Sequence, residues 1–142
     1  MKCLFCYQEL HDGEQHYHAA CAKRFFGSPV IPSMPYSQAD IRELAKQVVR
    51  SHTTVTGVQA KLSMDIERTN QISRLTIVDQ GGKYILKPQT PQYPYLPEIE
   101  DLTMHLAQSV KIDVVPHALL RFDSGELCYL TRRIDRDKKG RK

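Results

Sequence analysis

The first 21 residues contain two close pairs of potential metal ligands. Cys3 and Cys6 form one pair, and His18 and Cys21 form the other, so the pattern is C-x2-C-x11-H-x2-C. Each pair supplies two ligands from one turn of chain, and three thiolates with one imidazole suit a tetrahedral zinc ion. Residues 1–27 are too few to bury a core of their own. We therefore expect a closed structural zinc site, which supplies folding energy and takes no part in catalysis.

Two alternatives to this assignment stay open at the level of sequence. The cysteines can be free thiols whose spacing is coincidental, and His16 competes with His18 as the fourth ligand. We prefer His18 because its spacing to Cys21 repeats the two-residue spacing between Cys3 and Cys6. Cys128 lies in a predicted strand, where a small buried thiol is the expected role.

Composition divides the chain of 142 residues into four segments. Residues 1–27 hold three of the four cysteines, and residues 28–37 hold three prolines and are a predicted linker. Residues 38–136 carry the periodic patterns of one domain, and residues 137–142 form a basic tail. The stretch 132–142 has seven basic and two acidic residues, so it contributes +5 to the formal net charge of +4. The rest of the chain carries −1, which argues against direct nucleic-acid binding.

Membrane and secreted classes find no support in the sequence. No apolar run approaches the roughly 20 residues that span a bilayer. Met1 and Lys2 are followed by Cys3, Phe5 and Cys6 and then by polar residues, rather than by the long apolar core of a secretory signal. We expect a cytoplasmic protein without disulfides and without a membrane partner.

Hydrophobic periodicity predicts an α+β fold. A short helix over 19–26 ends at Gly27, and helical spacing recurs over 38–50 and from about 98 to 110. A period of two predicts three strands within 62–87 and two more over about 115–122 and 127–133. We expect a mainly antiparallel five-stranded sheet with the inserted helix packed against one face. The apolar face of that helix consists of Ile99, Leu102, Leu106, Ala107 and Val110.

Lys87 is the most informative charged residue of the predicted sheet. It shares a strand face with Ile85, and a lysine on an apolar face needs an anion because burying it unpaired is costly. Glu100, one turn into the next helix, is a candidate partner. The alternative is a solvated edge-strand lysine and a glutamate that favours the helix dipole. The threonine-rich loop around Gly57 can approach a phosphate, although it lacks the Walker spacing and is by itself more typical of a turn.

Four blocks of this sequence, in order, resemble the motifs of HipA-type toxin kinases. They are TVTGVQAKLS at 54–63, YILKP at 84–88, LPEIEDLTM at 96–104 and LTRRIDR at 130–136. These kinases are bacterial Ser/Thr kinases of type II toxin–antitoxin modules with a distant protein-kinase-like fold. The resemblance covers about residues 50–142 and implies that residues 38–136 are a kinase N-lobe.

The resemblance also implies a role for particular residues. Lys87 would bind the α- and β-phosphates of ATP, which the complete kinase binds with Mg, and Glu100 would orient Lys87. Thr54 or Thr56 stands where the family has an autophosphorylated serine. Further nucleotide contacts would come from Thr56, Gly57, Val58 and Gln59 in the loop and from Tyr129, Leu130, Thr131 and Arg132 beside adenine.

In the family, the catalytic base and the metal-binding aspartate lie in a C-terminal lobe, after the block that ends at Arg136. Asp135 and Asp137 are not their equivalents. We therefore expect an incomplete Ser/Thr kinase, inactive without that C-terminal lobe. The resemblance implies a HipB-like antitoxin as partner and an aminoacyl-tRNA synthetase as substrate. The alternative function is a zinc-containing protein-interaction or regulatory module derived from such a kinase.

Overall fold

The fold is α+β and contains one five-stranded sheet. A computed structural model describes residues 1–51, 60–78 and 81–135. The strand order is β2-β1-β3-β5-β4, and every neighbouring pair is antiparallel, which confirms the predicted fold class. The elements are α1 (Ala19–Phe26), α2 (Gln38–Ser51), β1 (Leu62–Thr69), β2 (Ile72–Ile77), β3 (Tyr84–Lys87), α3 (Leu96–Ser109), β4 (His117–Arg121) and β5 (Leu127–Arg132).

Alternation along the strands gives the sheet two different faces. Leu62 of β1 lies beside Leu86 of β3, and Leu86 lies beside Leu130 of β5. All three side chains are fully buried in the hydrophobic core. The neighbouring positions on β3 and β5, Lys87 and Tyr129, are paired with each other on the opposite face, which α3 covers near β4 and β5.

The N-terminal segment forms part of the core on the first face. Phe25 and Phe26 of α1 are buried in the same cluster as the strand residues, with ring centroids 4.9 Å apart. The Tyr84 hydroxyl donates to the Phe25 carbonyl at 3.2 Å, so β3 contacts the end of α1 directly. Ile41 of α2 is buried in this cluster too. Residues 1–27 are therefore packed against the sheet rather than separate from it.

Helix α3 packs with the side that the sequence pattern did not predict. Pro97 and Asp101 are its buried residues. Its apolar side is left at the surface, with exposed fractions between 49% and 67% for Ile99, Leu102, Leu106 and Val110. An amphipathic helix ordinarily turns its apolar stripe to the core. In this protein, polar groups on the sheet and in the N-terminal segment bind the opposite side of α3, which carries Asp101.

The outer edge of β4 is bound by the N-terminal segment. The Leu119 backbone N–H donates to the Leu4 carbonyl at 3.1 Å, and the buried Tyr17 hydroxyl donates to the Leu119 carbonyl. These bonds use backbone groups that the sheet edge would otherwise leave unpaired.

Among the described residues, no helix has the length and apolar character needed to cross a membrane.

Replacing Tyr17 by phenylalanine tests how firmly this edge is held. Tyr17→Phe removes the bond to Leu119 and is expected to lower the free energy of unfolding by about 0.5–1.5 kcal/mol. Hydrogen exchange should rise mainly at residues 1–27 and β4. Chemical denaturation and hydrogen–deuterium exchange measure both effects. Tyr93→Phe is the control because Tyr93 is half exposed. Equal stability of the two variants would contradict this account of the edge.

Candidate functional site

The four predicted metal ligands lie together in the N-terminal segment. The sulfur atoms of Cys3, Cys6 and Cys21 and a ring nitrogen of His18 all lie within 4.8 Å of one another. His18 Nδ1 is 3.4 Å from Cys6 Sγ and 3.7 Å from Cys21 Sγ. Metal–ligand bonds of about 2.0–2.3 Å in a tetrahedron require ligand separations of this size. The arrangement and its donor set fit a zinc ion.

The other ring nitrogen of His18 has a partner that orients the imidazole. Nε2 lies 2.8 Å from the Glu9 carbonyl oxygen, and the Glu14 carboxylate is 3.8 Å away. The bond to the Glu9 carbonyl and the charge of Cys3 raise the pKa of His18. Histidine ligands of metals commonly donate their second N–H in this way. His16, the competing candidate, is not among the four clustered residues and lines a surface cavity beside Arg121.

The cluster thiols sit in different electrostatic surroundings. Burial opposes ionisation of Cys3, but hydrogen bonds with the backbone of His18, Phe5 and Cys6 lower its pKa overall. Burial raises the pKa of Cys21 to about 12, and the neighbouring thiols contribute in the same direction. A bound cation removes this difference because it deprotonates the thiols that it coordinates.

Cys128 is separate from the cluster. It is fully buried in the core, and its Sγ lies 3.5 Å from the Leu120 carbonyl oxygen. Burial raises its pKa well above the ordinary value. This matches the core thiol that the sequence predicts at that position.

Lys87 and Glu100 form an ion pair on the face of the sheet that α3 covers. Lys87 ends β3 and Glu100 lies in the second turn of α3. Their side chains are each 26% exposed, and Nζ of Lys87 bonds to Oε1 of Glu100. The same Nζ lies 5.6 Å from the centroid of the Tyr129 ring, within range of a cation–π contact. A lysine alone in solvent, the alternative considered above, does not fit these contacts.

Gln89 joins the end of β3 to the start of α3. Its side-chain oxygen accepts a hydrogen bond from the Leu96 backbone N–H at 3.1 Å, and its amide nitrogen lies 3.4 Å from a Glu98 oxygen. The N-cap residue Tyr95 makes no side-chain cap bond, so Gln89 supplies a partner for the first turn. The strand that carries Lys87 and the helix that carries Glu100 are thereby connected close to the ion pair.

The residues expected beside adenine are divided between the two faces. Thr131 lies beside Ile85 in the register and therefore shares a face with Lys87. Leu130 lies beside Leu86 and is fully buried in the core on the other face. Arg132 is on Leu130's side and borders a basic cavity of the first face. Strand alternation directs the side chains of Leu130 and Arg132 away from Lys87, and their contact with adenine stays a prediction.

Tyr129, also expected beside adenine, pairs with Lys87 in the register and lies on the same face. It is fully buried beneath Lys87 and α3. Burial, reinforced by the charges of Glu100 and Asp101, raises its pKa above the usual range. Tyr129 therefore supports the ion pair from below. The expected loop contacts lie outside the described residues, as do the two possible phosphorylation positions. The contacts are Thr56, Gly57, Val58 and Gln59, and the phosphorylation positions are Thr54 and Thr56.

A buried polar network around Asp101 escaped the sequence analysis. The Asp101 side chain is fully buried, and its two oxygens lie 2.7 Å from His117 Nδ1 and 2.5 Å from the Tyr7 hydroxyl. Burial and the bond to Asp101 raise the pKa of Tyr7, so the phenol stays a donor. His105 Nδ1 is 3.3 Å from the same carboxylate.

Only the folded chain makes this network visible. Tyr7 and Asp101 are 94 positions apart, so no local pattern links them. The available signal is His105, one helical turn after Asp101 on the helix side opposite the apolar stripe. The ligand atoms of Asp101, His105 and His117 also lie within 4.8 Å of one another, and each histidine contacts the Asp101 carboxylate.

The ion pair between sheet and helix indicates a class of protein, and sequence comparison identifies the family within it. A strand lysine that forms an ion pair with a helix glutamate, as Lys87 does with Glu100, is a feature of protein kinases. Residues 53–142 match the model of the HipA-like C-terminal domain. The chain therefore belongs to the HipA-like family.

One curated relative of the chain is considerably longer than the part that it shares with this chain. A Haemophilus influenzae protein named "Putative kinase" is 32% identical over 111 residues, which cover 75% of this chain and 31% of that protein. The chain thus spans about a third of the length of the relative that it matches.

Proposed function

We propose that this chain is the ATP-binding lobe of a HipA-like Ser/Thr protein kinase of a toxin–antitoxin module. The observation that carries the proposal is the ion pair between Lys87 and Glu100. In protein kinases the equivalent lysine contacts the nucleotide phosphates, and the helix glutamate holds it in place. The family membership of residues 53–142 supports the same interpretation.

The chemistry available to these side chains is binding and orientation. Lys87 would neutralise charge on the α- and β-phosphates of ATP, and Glu100 would limit the directions that its ammonium can take. The Tyr129 ring lies beneath the Lys87 ammonium, and Thr131 lies on the same face of the sheet. Mg would bridge the phosphates when the nucleotide is bound. The threonine-rich loop that includes Gly57 would cover the phosphates, by analogy with the family.

Phosphoryl transfer requires groups that this proposal assigns to a second lobe. A kinase needs a catalytic base and a metal-binding aspartate, which the resemblance puts after Arg136. The exposed apolar side of α3 supports a further lobe because it is a continuous face that nothing covers within the described residues. The matched relative is about three times as long as the aligned part. We propose that the C-terminal kinase lobe packs on this face.

The whole kinase would act in the cytoplasm with the partners that the family suggests. A HipB-like antitoxin would restrain it, and an aminoacyl-tRNA synthetase would be its substrate. A zinc-containing interaction module is the second candidate function, and the same exposed side of α3 favours it. Nucleotide binding distinguishes the two candidate functions, because only the kinase lobe has to bind ATP.

The N-terminal cluster is proposed to hold a structural zinc ion. Its ligands would be Cys3, Cys6, His18 and Cys21. When bound, the ion would cross-link the turn that carries the first two ligands to the turn that carries the last two. Because all four positions are filled by protein groups, no site is left open for a substrate. The segment's contacts with β4 would then be preserved by the ion.

The nucleotide proposal predicts a specific effect of removing the Lys87 charge. Lys87→Met is expected to weaken Mg-ATP binding by about 10-fold or more, since it removes a charge-assisted bond to phosphate. NMR titration of the isotope-labelled chain suits the weak affinity expected of a single lobe. Lys23→Met is the matched control because Lys23 is exposed on α1, away from Lys87. Equal affinities of the two variants would refute the ATP site.

The zinc proposal predicts the metal content of four variants. Elemental analysis of the purified chain should find about one equivalent of zinc. Cys6→Ser and His18→Ala should lose most of it, whereas His16→Ala and Cys128→Ser should keep it. The controls replace residues of the same type that lie outside the cluster. Zinc below about half an equivalent in the unaltered chain, or its loss in His16→Ala, would contradict the assignment.

A further inference from the structure

We infer that Tyr7 and Asp101 are positioning residues that seat α3 so that Glu100 meets Lys87. Through them, nucleotide binding depends on the folded N-terminal segment that carries the metal cluster. The inference rests on the proposed ATP-binding function. It concerns residues that neither contact phosphate nor ligate metal, and it follows from a chain of contacts between the cluster and the ion pair.

The first link joins the metal cluster to α3. Tyr7 directly follows Cys6, has a positive φ of 63°, and donates its backbone N–H to the Cys3 carbonyl at 3.0 Å. Its position is therefore set by the turn that holds the first ligand pair. From this turn the Tyr7 side chain extends to α3, where its hydroxyl donates a hydrogen bond to Asp101 Oδ2 at 2.5 Å.

The second link runs in parallel through His105. Its Nε2 lies 3.0 Å from the Phe5 carbonyl, and its Nδ1 lies 2.9 Å from the Asp101 carbonyl. The ring also stacks on Tyr7, with centroids 4.0 Å apart and planes 14° from parallel. The two residues that flank Cys6 thus contact two successive turns of α3.

The third link anchors the opposite side of the carboxylate. His117 Nδ1, on β4, lies 2.7 Å from Asp101 Oδ1. Asp101 is fully buried, so its side-chain oxygens need hydrogen-bond partners within the protein. Removing one of them would leave a desolvated oxygen, which costs about 1–3 kcal/mol or more. The carboxylate therefore holds α3 against the sheet and the N-terminal segment at once.

The last link is the adjacency of Asp101 and Glu100. Both lie in the second turn of α3, and Glu100 reaches Lys87 while Asp101 points into the network. The apolar side of the helix is exposed, so hydrophobic packing of that side does not fix the helix within the described residues. The polar contacts of Asp101 and His105, together with buried Pro97 and the Gln89 bond to the first turn, position the helix that carries Glu100.

Tyr7→Phe in the full, zinc-loaded chain tests the inference. The phenylalanine keeps the ring stack on His105 but loses the bond to Asp101. We expect unchanged zinc content and about fivefold weaker Mg-ATP binding in the NMR titration, which corresponds to one hydrogen bond. The ¹⁵Nζ–¹Hζ signal of Lys87 should also weaken as its ammonium loses Glu100 and exchanges faster with water. Tyr93→Phe is the matched control.

A double-mutant cycle separates positioning from general destabilisation. If Tyr7 acts through Glu100, then Tyr7→Phe has little further effect on nucleotide affinity in the Glu100→Gln background. Additive losses would overturn the inference, because they would show that Tyr7 acts independently of the ion pair. An unchanged affinity and Lys87 signal in Tyr7→Phe would overturn it as well.

His105→Gln provides a second variant away from the metal ligands. It disturbs the bond to the Phe5 carbonyl without altering a residue next to Cys6, and it should reproduce the loss of the Lys87 signal with zinc retained. A second zinc equivalent that is lost in His117→Ala would overturn the inference by assigning the network to a metal. If the unaltered chain binds no nucleotide, the proposed function fails, whereas the Lys87 signal still tests the positioning.

Discussion

The buried carboxylate of Asp101 is the constraint on which the arrangement of this molecule depends. A charge without access to water is tolerated only when its oxygens are hydrogen-bonded and opposed by donors. The Asp101 carboxylate contacts Tyr7 in the N-terminal segment and His117 on β4. His105 on the same helix bonds to the Asp101 main-chain carbonyl and lies 3.3 Å from the carboxylate. Satisfying one side chain therefore brings the metal cluster, α3 and the sheet into one geometry. Such networks specify an arrangement strictly because partial satisfaction is costly.

The N-terminal segment illustrates how a small unit gains stability from a larger one. Its aromatic residues are buried in the core of the sheet, and its backbone covers the free edge of β4 at Leu119. A metal ion at the cluster would hold the turn that carries Phe5 and Tyr7, the two residues that contact α3. The N-terminal segment is thus connected to the face of the sheet on which Lys87 lies.

Much of this architecture is predictable from the sequence, and the failures share a physical cause. The strands follow from alternation, and the pairing of Lys87 with Glu100 follows from the likeness to a family together with the cost of a lone buried lysine. The side of α3 that packs was missed because periodicity places apolar residues inside, whereas Asp101 and His105 fix the opposite side. The face of the sheet on which Leu130 lies could not be predicted, because a motif gives positions along a strand and only the register with Leu86 gives the direction of the side chain.

Helix α3 therefore has two sides with opposite characters, and this determines how it can respond to a partner. Its inner side is held by directional polar bonds, which tolerate little displacement, and its outer side presents Ile99, Leu102, Leu106 and Val110 to solvent. A lobe packing on the outer side would gain apolar burial without competing for Asp101 or its partners. Glu100 lies between these two sides and is the helix residue bonded to Lys87. The two sides together thus make the position of Glu100 sensitive both to the N-terminal segment and to whatever covers the exposed face.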